Sequence, residues 1–292
     1  MLIDKDKLKE IIPVIARKQN FRLGIVEKDY YLTVILSNIH SLLSPKLVFK
    51  GGTLLNKAYF NYRRLSEDLD FTYCSKEELN SRAKRSKAIS PIREKMGDFL
   101  RSLDLNSKKP EGMGFNNSTQ YIFQVIYPSI ITGNDENINI EVSLRQAPID
   151  KPVYTVIKHF YQDPFTNEDL IPTNKILSLS LNEAVAEKLK AAITRSDIAI
   201  RDFYDLWHIA ESNFDFCNQE FITLFKKKLE NEGYQGDFKI NFGFDTKSIV
   251  LLHRQIATDL MPVIRFGEQF DLTKVFEKFN QIFNDKNFIL LL

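Results

Sequence analysis

Apolar positions recur along this chain with two periods, and the predicted element changes where the period changes. Leu8, Ile11, Ile12 and Ile15 fall on one face of a helix, so residues 4–20 are predicted helical with Asp4 as the cap. A second helix is expected over residues 25–43. The pattern then shortens. Lys46 to Phe49 reads as a strand entering a glycine turn, Thr53 to Phe60 as a short helix leaving it, and residues 68–73 as another strand. Residues 76–104 are charged and helical, with a break expected at Pro91, and residues 106–118 are rich in Asn, Ser, Gly and Lys, as a loop would be. Gln120 to Tyr127 is a strand. Asn137 to Leu144 alternates cleanly, with Ile138, Ile140, Val142 and Leu144 on one face and Asn139, Glu141 and Ser143 on the other. Residues 146–174 carry four of the ten prolines and read as a connector with a strand near 153–160. From Leu181 onward the pattern is mainly helical.

These elements predict an α+β chain. A mixed sheet with flanking and N-terminal helices is expected over residues 1–160, and a mainly helical C-terminal lobe over 161–292, the boundary lying somewhere in 150–180. The length of 292 residues suits one large or two ordinary domains, and 43% hydrophobic with 27% charged residues is an ordinary globular mix. A net charge of +2 means that any nucleic-acid contact must come from a local basic patch. Cys74 and Cys217 make no disulfide framework, and with no leader pattern they point to a reducing cytoplasm. No apolar run approaches the ~20 residues that cross a bilayer, so no membrane partner is expected. The apolar end from Phe288 to Leu292 is expected to dock on the body of the protein, with a partner-binding surface as the alternative.

Three groups of residues carry candidate chemistry. Asp68 and Asp70 lie two apart in a predicted strand, so both carboxylates point to one side while Leu69 and Phe71 point to the other. If the strand bearing Glu141 is a neighbour, three carboxylates share a site suited to two divalent ions. On spacing alone the aspartates suit a turn cap equally well. Gly51, Gly52 and Thr53 form a backbone-rich turn before a helix, a place where phosphate oxygens can approach closely, with Lys50 and Lys57 flanking it. The Gly-Lys-Ser/Thr ending of a Walker loop is missing, and plain turn chemistry explains the glycines as readily. The third group spans two helices. Val185, Leu189, Ala192 and Ile193 form one apolar stripe; Ala199, Phe203, Leu206, Trp207 and Ala210 form a second, after a break and new cap at Ser196-Asp197. Lys188 and Arg195 flank the first stripe. Arg201, Asp202 and Asp205 flank the second, with Arg201 and Asp205 spaced to pair. The plain reading is two amphipathic helices with surface ion pairs. The sharper one sets Lys188 against nucleotide phosphates, with Asp202 and Asp205 orienting Lys188, Arg195 or the base. His40, His159, His208 and His253 show no metal spacing. The basic runs Arg82 to Arg85 with Lys87, and Lys226 to Lys228, suit a phosphate backbone or merely a solvated face.

Several of these residues fall in longer motifs. Val26-Glu-Lys-Asp-Tyr-Tyr-Leu32, Val48-Phe-Lys-Gly-Gly-Thr-Leu-Leu-Asn-Lys57, Arg64-Leu-Ser-Glu-Asp-Leu-Asp-Phe71, Ala186-Glu-Lys-Leu-Lys-Ala191 and Arg201-Asp-Phe-Tyr-Asp-Leu-Trp207 occur in order over residues 22–210. Together they resemble the AbiEii/AbiGii toxin family of nucleotidyltransferases. The resemblance implies a nucleotidyltransferase core of the polymerase-β type, with a helical lobe closing over the site. It implies transfer of a nucleotide from an NTP with pyrophosphate release, dependent on Mg2+, with two ions in the NTP-bound state. Gly51, Gly52 and Thr53 would hold the triphosphate and Asp68 and Asp70 the metal, with Glu141 as the third carboxylate. Lys188 with Asp202 or Asp205 would complete the pocket. It further implies the toxin half of a toxin–antitoxin or phage-abortive system, tRNA as the acceptor and a cognate antitoxin as partner. Two alternatives stand beside it: the same chemistry on a small-molecule acceptor, and a non-catalytic NTP-binding regulatory module. Residues 215–292 match no motif and are left as the candidate region for acceptor recognition.

Overall fold

The computed structural model describes residues 3–236, 240–243, 245–286 and 288. The chain forms two compact units, Met1–Asn61 with Leu65–Leu179, and Tyr62–Arg64 with Ser180–Leu292. The first unit runs to residue 179 because the sheet takes in one strand from the proline-rich connector, residues 153–156, and a second directly after it, residues 175–178.

In the first unit, helix α1 (Lys5–Gln19) starts at Asp4, whose side chain accepts the amides of Asp6 and Lys7, and it buries Leu8, Ile11, Ile12 and Ile15. Helix α2 (Leu23–Asn38) is buried over most of its length and continues as a π turn, Ile39–Leu43. Strand β1 (Leu47–Lys50) runs straight into a short helix α3 (Gly51–Leu54), which a π turn extends over Leu55–Tyr59. Strand β2 (Leu69–Tyr73) follows, then helix α4 (Arg82–Ser102). Pro91 does not break α4. It sits on the exposed side, as does Lys87, whose carbonyl loses its helical donor there and can turn to water. Ile89, Ile92, Met96, Phe99 and Leu100 are buried on both sides of the proline and hold the helix together.

Strands β3 (Met113–Phe115), β4 (Gln120–Pro128), β5 (Asp135–Ser143), β6 (Val153–Val156) and β7 (Lys175–Ser178) complete a seven-stranded sheet in the order β3-β4-β5-β2-β1-β7-β6. The sheet is mixed: β2/β5 and β1/β7 are parallel and the other pairs antiparallel. β3 lies within the expected loop, β6 within the expected connector, and β7 directly after it. The alternation in β5 is as expected, with Ile138, Ile140 and Val142 in the core and Asn139, Glu141 and Ser143 half-buried on the other face.

Among its described residues the second unit's regular structure is helical, with one bridge between Arg64 and Ile264. Its helices are α5 (Leu181–Thr194), α6 (Ile200–Glu211), α7 (Gln219–Asn231), α8 (Thr246–Gln255) and α9 (Leu272–Asn284). Ser180 caps α5 by accepting the Glu183 amide. The cap expected at Ser196-Asp197 is absent. α6 starts after Ala199, and the Ile200 amide donates to Oε1 of Gln255 on α8, so a tertiary contact replaces the local cap. Phe216, Phe221, Phe225, Phe242, Phe279 and Phe283 are packed ring against ring in its core. Phe288 is 1% exposed and meets Phe225 and Phe283. Residues 289–292 of the expected docked end lie outside the described residues. Among the described residues no helix is long and apolar enough to cross a membrane.

Candidate functional site

The first unit assembles its candidate residues through strand register. β1 pairs with β2 and β2 with β5 so that Lys50, Asp70 and Glu141 are aligned across three adjacent strands. Directly opposed residues project to the same face, so one lysine and two carboxylates form a row. The next row, Phe49, Phe71 and Val142, lies on the opposite face and is fully buried. Asp68 immediately precedes β2 and is exposed. Its Oδ1 accepts the Asn139 amide of β5 at 3.1 Å.

The glycine turn is built against this row. Gly51 has φ +78°, and a Cβ there would lie 2.2 Å from Oδ2 of Asp70. Backbone conformation and space both demand glycine. Thr53 is 2% exposed, and its hydroxyl donates to the Asp68 carbonyl at 2.7 Å. The threonine therefore locks the turn to the aspartate segment and spends its proton there, not on a phosphate. Lys57 also differs from expectation. It is 1% exposed, with its ammonium 2.8 Å from Asp29 Oδ1 and 2.8 Å from the Thr33 hydroxyl. Tyr161 donates to the same aspartate. Burial pushes the Lys57 ammonium below its usual range, against the pull of Asp29. Helical periodicity carries residue 57 inward, so this lysine is a core ion pair and not a phosphate contact.

Among the described residues no group of three or more His, Cys, Asp or Glu side chains is arranged to hold a metal ion. Asp70 and Glu141 stand side by side in the row, and Oδ1 of Asp68 accepts the Asn139 amide. The donor chemistry still suits Mg2+. That ion is commonly held by one or two carboxylates, with substrate phosphates and water supplying its remaining ligands.

The second unit holds a network of five charges. Lys188 Nζ lies 2.8 Å from Asp202 Oδ1 and 3.0 Å from Asp205 Oδ2. Arg195 Nη1 reaches Asp202 Oδ2 at 3.1 Å. Arg64 grips Asp205 as a fork, Nε to Oδ1 at 2.8 Å and Nη2 to Oδ2 at 2.7 Å. The surface ion pairs of the plain reading are not what forms: Asp202 and Asp205 are 4% and 5% exposed. Asp205 is held by Lys188 and Arg64, the first from α5 and the second from the Tyr62–Arg64 segment. Burial alone would lift the Asp205 carboxyl, but the cations Arg64 and Lys188 hold it down at about 2. Burial likewise works against the Lys188 ammonium, yet Asp202 and Asp205 raise it above the usual lysine range. Three cations against two carboxylates leave one net positive charge, as an anion site needs.

Sequence reasoning did not single out Arg64 as a site residue, because 141 positions separate it from Asp205 and no local spacing connects them. The Tyr62–Arg64 strap is fastened within this unit: Arg265 donates to the Tyr62 carbonyl at 2.7 Å and the Tyr204 hydroxyl to the Arg63 carbonyl at 3.0 Å. Of the basic runs, Lys226 and Lys227 are exposed, while Lys228 is buried between Glu183 and Glu187 at 2.6 and 2.7 Å. Arg85 donates to the carbonyls of Leu79 and Asn117, and Arg82, Lys84 and Lys87 remain exposed along α4.

Comparison with known proteins agrees with this fold. It is similar to that of JHP933 from Helicobacter pylori, at 16% identity and TM-score 0.52, over 93% of this chain and 94% of that one. It is also similar to MenT4, the nucleotidyltransferase toxin Rv2826c of Mycobacterium tuberculosis H37Rv, at 13% identity and TM-score 0.54, over 96% and 98%. At these identities the likeness is one of fold. Curated proteins give no sequence match. Residues 34–274, which hold every candidate site residue named above except Asp29 and Thr33 of the Lys57 pair, match the family described as nucleotidyl transferase AbiEii toxin, type IV TA system. The chain belongs to the AbiEii family of nucleotidyltransferase toxins of type IV toxin–antitoxin systems.

Proposed function

We propose that this nucleotidyltransferase moves a nucleotide from an NTP onto an RNA acceptor, a tRNA, and so arrests growth in the cytoplasm unless a cognate antitoxin opposes it. A role in abortive phage infection follows from the same activity. The observation that carries the reading is the row Lys50, Asp70 and Glu141 with Gly51 packed on the Asp70 carboxylate. A backbone turn fit for phosphate and acids fit for a hard cation share one end of one sheet.

In the reaction, the acceptor hydroxyl oxygen bonds to the α-phosphorus and the bond from that phosphorus to the bridging oxygen breaks. Pyrophosphate leaves with the electron pair. Asp68 and Asp70 are the proposed holders of Mg2+, which would neutralise polyphosphate charge and lower the hydroxyl pKa. Gly51 and Gly52 let the backbone approach the polyphosphate, and the first amides of α3 have no acceptor within their own helix. Glu141 is placed to take the hydroxyl proton or to share the ion. Lys50 and Arg195 add positive charge, and Lys188, oriented by Asp202 and Asp205, is the proposed polyphosphate cation of the second unit. Positioning and charge neutralisation account for most of the acceleration in such transfers. The RNA acceptor is supported by the family resemblance and by exposed Arg82, Lys84 and Lys87 on α4.

The test is incubation of purified protein with Mg2+, each labelled NTP in turn, and total bacterial RNA. Label in a tRNA-sized band that disappears in Asp70→Ala supports the proposal. Label that appears only on a small-molecule acceptor, or NTP binding without pyrophosphate release, overturns it.

A further inference from the structure

We propose that Arg64 is a positioning residue for the transfer reaction, which by drawing off the charge of Asp205 leaves the Lys188 ammonium able to attract a polyphosphate. This rests on the reading of Lys188 as the polyphosphate cation. The reason is charge balance. A lysine held by two aspartates alone is a cation outnumbered by anions, and it would repel a further one. Here each carboxylate is divided between two cations. Asp202 serves Lys188 through Oδ1 and Arg195 through Oδ2. Asp205 gives both oxygens to the Arg64 fork, and only Oδ2 is shared with Lys188, at the longer distance of 3.0 Å.

Burial gives the balance its weight. The side chains of Arg64 and Asp205 are 5% and 3% exposed, so water and salt screen them little. Arg64 lies deeper than Lys188, at 10%, and far deeper than Arg195, at 56%. It therefore acts through Asp205 and does not itself meet the ligand. An arginine suits the task because its guanidinium stays charged and its planar fork matches both carboxylate oxygens. The strap holds it in place, since the carbonyls of the two preceding residues are tied to Arg265 and Tyr204, and Arg64 itself bridges to Ile264.

The experiment uses the full chain with Arg64→Gln, Arg64→Lys and the double variant Arg64→Gln/Asp205→Asn. Binding of Mg2+–tripolyphosphate is measured by calorimetry, KM and kcat with whichever NTP the wild type transfers, and folding by thermal melts. Arg64→Gln should weaken tripolyphosphate binding and raise KM about tenfold, with kcat within roughly threefold of wild type. Arg64→Lys gives up the fork but keeps the charge through which Arg64 acts on Asp205, and should stay within roughly threefold for binding. The double variant removes one charge of each sign, restores the balance and should recover most of the lost affinity. Wild-type binding by Arg64→Gln, or a double variant no tighter than the single, overturns the proposal. Should Arg64→Gln not fold, Arg64→Lys and the double variant decide: tenfold weaker binding in either, once folded, overturns it as well. Wild-type protein that binds neither tripolyphosphate nor any NTP would instead remove the underlying reading of Lys188, so the two failures are distinct.

Discussion

The Asp70 carboxylate fills the space that a side chain at Gly51 would need: Oδ2 stands 2.2 Å from where a Cβ would be. The turn and the acid are therefore one fitted unit. Gly51→Ala should push the carboxylate aside, and it also forces an L-residue to φ +78° at a cost of about 1–2 kcal/mol. A melting point lowered by a few degrees, with transfer reduced at least about a hundredfold, is the expected result. Near-normal transfer by a folded Gly51→Ala would show that the position of Asp70 is not critical.

The row position of Glu141 separates its role from those of the two aspartates. Asp68→Ala and Asp70→Ala should abolish transfer with little change in melting point, because Asp68 is exposed and Asp70 only half-buried. Glu141→Gln keeps shape and removes the proton acceptor. A positioned acid or base contributes roughly a hundred- to ten-thousand-fold. Glu141→Gln should therefore lose kcat in that range and regain part of it at higher pH, where the hydroxyl ionises more readily. A pH profile parallel to wild type would leave Glu141 as a ligand or a bystander.

What the sequence disclosed follows from the range of the interactions involved. The alternation of Ile138, Ile140 and Val142 places Glu141 on the polar face, because period-two burial is a local property of a strand. That β5 neighbours β2, in the register that aligns Asp70 with Glu141, is a non-local fact which no spacing encodes. The Arg64 fork on Asp205 is hidden for the same reason, and so is the Gln255 cap on α6. Lys57 misleads differently. A lysine beside a glycine turn looks solvated until Asp29, a helix away, supplies the buried partner. β3 and β7 have only 3 and 4 residues, too few to show a period.

Asp205 gives the protein an acid-sensitive element. Its folded carboxyl is held at about 2, below the ordinary 3.8, so folding favours the ionised form. The stabilisation is complete above the unfolded value and is lost as pH falls through the folded one, between about pH 4 and 2. Chemical denaturation followed from pH 5 to pH 2 should show Asp205→Asn losing less stability than wild type, by roughly 2 kcal/mol. Equal losses in the two proteins would mean that Asp205 is not held ionised by Arg64 and Lys188.

The Lys57–Asp29 pair is predicted to be a matter of stability and not of nucleotide binding. Both side chains are 1% exposed, so removing one partner strands the other charge in the core. Lys57→Met alone should cost about 3–5 kcal/mol, whereas Lys57→Met/Asp29→Asn removes both charges and should cost much less. The amide oxygen that Asp29→Asn introduces can still accept from Tyr161, whose hydroxyl donates to the native carboxylate at 2.9 Å. Chemical denaturation of the two single variants and the double gives the coupling directly. Tripolyphosphate titration of the folded double variant then separates the two roles: wild-type affinity is expected, since no ligand in solvent meets a core ammonium. A clear loss of affinity in a double variant of normal stability would return Lys57 to the phosphates.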